Sequence, residues 1–178
     1  FLEGRPERVA QAHAWGVRHL QLIHFIQSPL GDRQTAEPVH GGLTPLGAKV
    51  VAECRRLGIV VDMAHGTAAL VDGVLEASDA IPVWSHSWIS AQGGGWTDPS
   101  YIARSLSPAT ARKIAARGGA VGLWTVRVNR DPAYPVHNAT TYADEIVRMC
   151  ELVGPNHVAF GTDMEGAGPG AILSNYMD

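Results

Sequence analysis

Histidines and an acid recur at the ends of the apolar runs of this 178-residue chain. Ile59-Val60-Val61-Asp62-Met63-Ala64 closes on His65, and Ile81-Pro82-Val83-Trp84-Ser85 closes on His86. Leu22-Ile23 leads to His24, and Phe160-Gly161-Thr162 leads to Asp163. Neutral imidazole is a good ligand for zinc and similar divalent ions, so histidines brought to one edge by successive strands point to a metal site. A carboxylate beside such a site can take the proton of an activated water and hand it to a leaving amine, which suits Asp163. Glu165, two residues on, is a weaker candidate for the same work. A lone histidine at a strand end is more often structural, and Asp163 could simply cap a helix. The recurrence at four equivalent positions is what favours chemistry.

These positions matter only if the runs are strands, and the chain reads as an alternation of strands and helices. Arg5 to Trp15 is predicted helical with Gly16 as its stop, and Val17 to Ile23 alternates with period two. Thr44 and Pro45 open a helix that runs to about Leu57 and stops at Gly58. Thr67 to Ser78 forms the helix between the two histidine-bearing runs. Ser107 caps the next helix, which ends at Gly118-Gly119. Ala120 to Trp124 is a fourth strand, Thr140 to Val153 a helix, and His157 to Gly161 a fifth strand. Three long loops, Ser28–Gly42, Ser87–Ser105 and Val126–Ala139, follow strands rather than helices.

Five strands separated by helices imply a parallel sheet with right-handed crossovers. Ligand-type residues at several successive strand ends fit the rim of a (β/α)8 barrel better than the single crevice of a doubly wound sheet. A whole barrel needs about 250 residues. The fold class expected is therefore α/β, a TIM barrel of the metal-dependent hydrolase type. It would be present as a partial barrel of about five β/α units, with residues 1–178 forming one domain.

With 46% hydrophobic and 17% charged residues, the chain can bury a sizeable core. A net charge of −3 gives no reason to expect nucleic acid. No apolar run approaches the roughly 20 residues of a membrane span. Cys54 and Cys150 both fall in helix-like segments and read as free thiols, which favours a reducing, cytoplasmic compartment. The chain starts at Phe1 without a methionine and reads as an internal piece, with any targeting region outside it. Strands left unpaired at two edges would make the isolated piece prone to aggregate.

The motifs as an ordered set resemble the membrane (renal-type) dipeptidases, peptidase family M19. The resemblance rests on Asp62-Met63-Ala64-His65, Trp84-Ser85-His86-Ser87 and Phe160-Gly161-Thr162-Asp163-Met164-Glu165-Gly166. Val39 to Gly47 and Gly16 to His24 also take part, so it covers essentially the whole chain. It implies that His65 and His86 bind one metal of a binuclear zinc centre, with two Zn2+ per intact site. His24 would approach the substrate and stabilise the tetrahedral intermediate. Arg104 would bind the substrate's free carboxylate through its guanidinium fork. Asp163 would handle the substrate amine and the proton. The implied substrate is a small dipeptide, with a homodimer open as an assembly. Without the resemblance, Arg104 reads as a surface charge.

Two departures qualify the match. The family's first-strand His-x-Asp does not occur here, and Glu3-Gly4 fits a second Glu-Gly of some bacterial relatives better than the bridging glutamate. Trp124-Thr125-Val126-Arg127 departs from the aromatic and asparagine-rich pattern expected after the fourth strand. Other readings stay open: another metal-dependent amidohydrolase or lactonase on the same barrel, or a non-catalytic relative that serves as a binding module.

Overall fold

The computed structural model describes residues 1–91, 101–127, 134–163 and 170–172. Expectations that fall on Gly93-Gly94-Gly95 and on Glu165 lie outside the described residues. The chain divides into two compact units, Phe1–Val83 and Trp84–Asp178.

In the first unit, helix α1 (Arg8–Ala14) leads to strand β1 (His19–Gln21), then α2 (Pro45–Leu57), β2 (Val60–Asp62) and α3 (Ala68–Ala77). The α2 boundaries match the sequence signals. The Thr44 hydroxyl accepts from the Gly47 N–H, Pro45 fills the first turn, and Gly58 ends the helix at φ +70°, a left-handed conformation that favours glycine. Thr67 caps α3 in the same way through the Leu70 N–H. Helix α1 is three residues shorter at its start than predicted, because the chain from Leu2 to Arg8 is taken up in tight turns around Pro6. Val50, Val51 and Cys54 on α2, with Leu70 and Val71 on α3, are buried with Val61 and Met63. Burial pushes the Cys54 thiol up to about 11, so it is a packing group rather than a nucleophile.

Strand β3 (Pro82–Ser87) starts in the first unit and continues into the second. The second unit goes on with α4 (Pro108–Ala116), β4 (Ala120–Trp124), α5 (Ala139–Val153) and β5 (Val158–Gly161). Ser107 and Asn138 cap α4 and α5, and Thr141 returns the Asn138 bond to complete a capping box. The core holds Trp84, Trp88, Ile114, Leu123, Tyr134 and Met149. Tyr134 and Tyr142 donate their hydroxyls to the carbonyls of Trp124 and Leu123, which ties the end of β4 to the elements around it.

Strand order follows sequence order, β1-β2-β3-β4-β5, and the β1–β2, β2–β3 and β4–β5 ladders are parallel. A doubly wound sheet reverses its order at a switch point, whereas a (β/α)8 barrel never does. The connectivity is therefore of the barrel type. Gly122 and Gly161 carry a further constraint: a methyl group on either would collide with the Ser85 carbonyl. No side chain fits where these strands come closest. No helix among the described residues is long and apolar enough to cross a membrane.

Candidate active site

In the first unit, His65 ends the run that follows β2. Its backbone lies in the left-handed region at φ +72°, and its side chain is buried. Several bonds hold that turn. Asp62 Oδ1 accepts from the Ala64 N–H, and the Gly66 N–H closes on the Met63 carbonyl. The Gln34 N–H donates to the His65 carbonyl at 2.8 Å, and the Thr67 N–H donates to the Asp32 carbonyl at 3.1 Å. The loop after β1 thus grips the turn from both sides.

Asp32 organises that loop. Its carboxylate is buried and accepts from the N–H groups of Val39, His40 and Gly42 at 2.8–3.1 Å. Burial acts to raise its pKa, but those donors outweigh it and hold the carboxyl below the usual carboxylate range. His24 lies exposed after β1, with its ring centroid 4.6 Å from that of His65. Phe25 packs edge-on against both rings. Beside His24 is a cleft of about 420 Å³ lined by Gln21, Leu22, Ile23, Ile26, Gln27 and Pro29. Glu3 stands apart from this arrangement. It is two-thirds exposed and pairs with Arg8 at 2.7 Å and Arg5 at 3.3 Å.

In the second unit, His86 sits inside β3 rather than after it, and Ser87 extends the strand. The imidazole is buried, with Nδ1 2.8 Å from the Ser85 hydroxyl. The tautomer that donates from Nδ1 to Ser85 puts the ring's lone pair on Nε2, the arrangement metal-binding histidines use. Nε2 lies 3.9 Å from Asp163 Oδ2. Asp163 follows β5 at φ +43° with 34% of its side chain exposed. The Trp124 indole N–H donates to the same carboxylate oxygen at 3.2 Å. Arg104 is not a surface charge: it ends a short 3₁₀ turn, Tyr101–Arg104, and is 4% exposed. Its carbonyl accepts from the Ser87 hydroxyl, and its guanidinium stands 5.5 Å over the Trp124 ring.

Each unit therefore assembles part of the expected set. His24 joins His65 in the first, and His86, Asp163 and Arg104 gather around Trp124 in the second. Among the described residues, no three of His, Cys, Asp and Glu come together to hold a metal. The buried imidazole donors fit a borderline divalent ion, but as an incomplete ligand set. Asp32 is a functional residue that no sequence motif marks. Its only signal was a lone acid after Gly31 in a loop rich in glycine and proline, with its amide partners seven to ten residues further on.

The family model described as membrane dipeptidase, peptidase family M19, matches residues 1–175. A dipeptidase of Aspergillus oryzae, aclJ, is 30% identical over 161 residues, covering 89% of this chain and 36% of that protein. A solved structure of the probable dipeptidase PvdM from Pseudomonas aeruginosa superposes with a TM-score of 0.80 at 18% identity, covering 94% of this chain and 56% of the other. A metallo peptidase from Rhodobacter sphaeroides, solved with a phosphinate mimic of the dipeptide L-Ala-D-Ala, gives a TM-score of 0.73 at 24% identity, covering 90% of this chain and 46% of the other. The chain spans between about a third and just over half of the length of these three relatives.

Proposed function

This chain belongs to the membrane dipeptidase family, peptidase family M19, and from that premise we propose that the protein hydrolyses dipeptides at a binuclear zinc centre. His65 and His86 are the metal ligands this chain would contribute. When bound, the metals supply a Lewis acid for the scissile carbonyl and acidify water into a nucleophile.

The remaining roles fall to the chain's own groups. His24, exposed beside its cleft, donates to the oxygen that gains charge as the carbonyl becomes tetrahedral. Asp163 holds the substrate's free amine, takes the proton released by water and returns it to the departing nitrogen. Arg104 clamps the C-terminal carboxylate, which confines substrates to short peptides with a free C-terminus. A cyclic amide or lactone offers no such carboxylate for a guanidinium fork to bind.

Backbone geometry supports this reading most strongly. Among the described residues only Glu3, His65 and Asp163 are non-glycines with positive φ. Histidine and aspartate tolerate that region better than most residues, so one instance would mean little. Two of three falling on proposed site residues, each fixed by surrounding hydrogen bonds, is the pattern of strain held for function. The test is hydrolysis of a dipeptide panel by the full-length, zinc-loaded protein. Asp163→Asn should lower kcat at least about a thousandfold with metal content unchanged. Near-normal turnover by that variant would remove Asp163 from the mechanism.

A further inference from the structure

We propose that Trp124 is the positioning residue of this site, setting the Asp163 carboxylate with its indole N–H and seating the Arg104 guanidinium on its ring face. The inference rests on the dipeptidase reading and deepens it. Trp124 ends β4, where the sequence departs from the pattern expected of the family, and it is 7% exposed. Three of the site's groups meet it. Its Nε1–H donates to Asp163 Oδ2 at 3.2 Å, the Arg104 guanidinium carbon stands 5.5 Å from its centroid, and the His86 ring is 5.8 Å away.

An indole can serve all three at once because its N–H points out of the ring edge while its face carries negative charge density. The edge bond restrains the one carboxylate oxygen that also faces His86 Nε2. The face holds the guanidinium through its cation–π contact. The next residue reinforces the placement: the Thr125 hydroxyl donates to the Thr162 carbonyl at 2.7 Å, clamping the peptide just before Asp163. The Tyr134 hydroxyl donates to the Trp124 carbonyl at 3.0 Å. The ring therefore sets the spacing between the group that would bind the substrate amine and the group that would bind its carboxylate.

Phenylalanine keeps the face and loses the N–H, whereas leucine loses both, so the two functions separate. In the full-length, metal-loaded protein, Trp124→Phe should lower kcat about tenfold with KM for a dipeptide changed less than twofold. Trp124→Leu should lower kcat similarly and raise KM at least fivefold for the dipeptide, but not for the corresponding dipeptide amide, which carries no free carboxylate. Calorimetric binding of an N-acetyl amino acid, a carboxylate without an amine, should weaken at least fivefold in the leucine variant and stay within twofold in the phenylalanine variant. A merely structural tryptophan would lower melting temperature and shift all of these together. Wild-type kcat in Trp124→Phe, or equal KM changes for the acid and the amide in Trp124→Leu, overturns the proposal and leaves the dipeptidase reading standing. A wild-type protein that cleaves no dipeptide removes both. If the leucine variant does not fold, the kcat of the phenylalanine variant decides alone.

Discussion

In the first unit the groups that fix His65 are main-chain amides and carbonyls, organised by the buried carboxylates of Asp32 and Asp62. In the second, the groups that fix His86, Asp163 and Arg104 are side chains: the Ser85 and Ser87 hydroxyls and the Trp124 indole. The two solutions fail differently. Backbone positioning is cooperative, because one carboxylate serves several amides and its loss releases a whole loop. Side-chain positioning is modular, because each bond can be removed while the strand beneath it stays in place. The first unit should therefore answer mutation with lost stability, and the second with altered binding or rate.

The largest effect that would break this contrast is expected at Asp32. Asp32→Ala leaves three loop amides without their acceptor, at about 1–3 kcal/mol for each buried donor left unsatisfied. Water will reach some of them once the loop loosens, so a total near 3 kcal/mol is expected, with protease cleavage appearing within residues 32–42. Denaturant unfolding and limited proteolysis of the full-length protein measure both. A variant as stable as the parent would show that the amides find other acceptors and that Asp32 does not organise the loop. The carboxyl is held below its unfolded value, so its contribution is present at neutral pH. It is lost as pH falls below about 4, through the folded value.

The reach of sequence reasoning follows the same division. The caps at Thr44 and Ser107 were legible because each is a local device, a hydroxyl meeting an amide three residues on. Strands β2 and β4 were legible from their apolar runs, and the five-strand order from the regular alternation with helices. Strand β3 runs two residues past the Ile81–Ser85 run, because His86 and Ser87, polar in the sequence, are buried in the strand. Arg104 reads as a surface charge because the ring its guanidinium stands over lies 20 positions later. Asp32 was invisible because its partners lie across a loop whose path only the folded chain defines.

An intermediate effect sharpens the contrast from the other side. Ser85→Ala removes the hydroxyl beside His86 Nδ1 and leaves β3 otherwise intact, so stability should change by less than about 1 kcal/mol. The imidazole loses the partner that fixes its tautomer and ring plane. Loss of such outer contacts costs metal sites about 10–100-fold in affinity. Chelator competition on the zinc-loaded protein reads this directly. Unchanged zinc affinity would mean that the strand alone holds the ring, and that the second unit also positions its groups through the backbone.

The smallest effect concerns His19 and Asp62, where a side chain meets the first unit's backbone network. His19 Nε2 lies 3.2 Å from Asp62 Oδ2, with the imidazole about half exposed and the carboxylate buried. The hydrogen bond to Asp62 raises the histidine pKa, against a smaller opposing effect of burial and with help from the carboxylate's charge. A raised folded value means stabilisation that is complete below the unfolded value of about 6.5 and is lost as pH rises through the folded one. The direction is opposite to that at Asp32, and solvent screening keeps the effect below about 1 kcal/mol. His19→Gln should therefore lower the urea midpoint at pH 6 and leave it unchanged at pH 8.5. A loss of equal size at both pH values would mean that His19 acts through packing, and that Asp62 holds the Ala64 amide without help from the charge facing it.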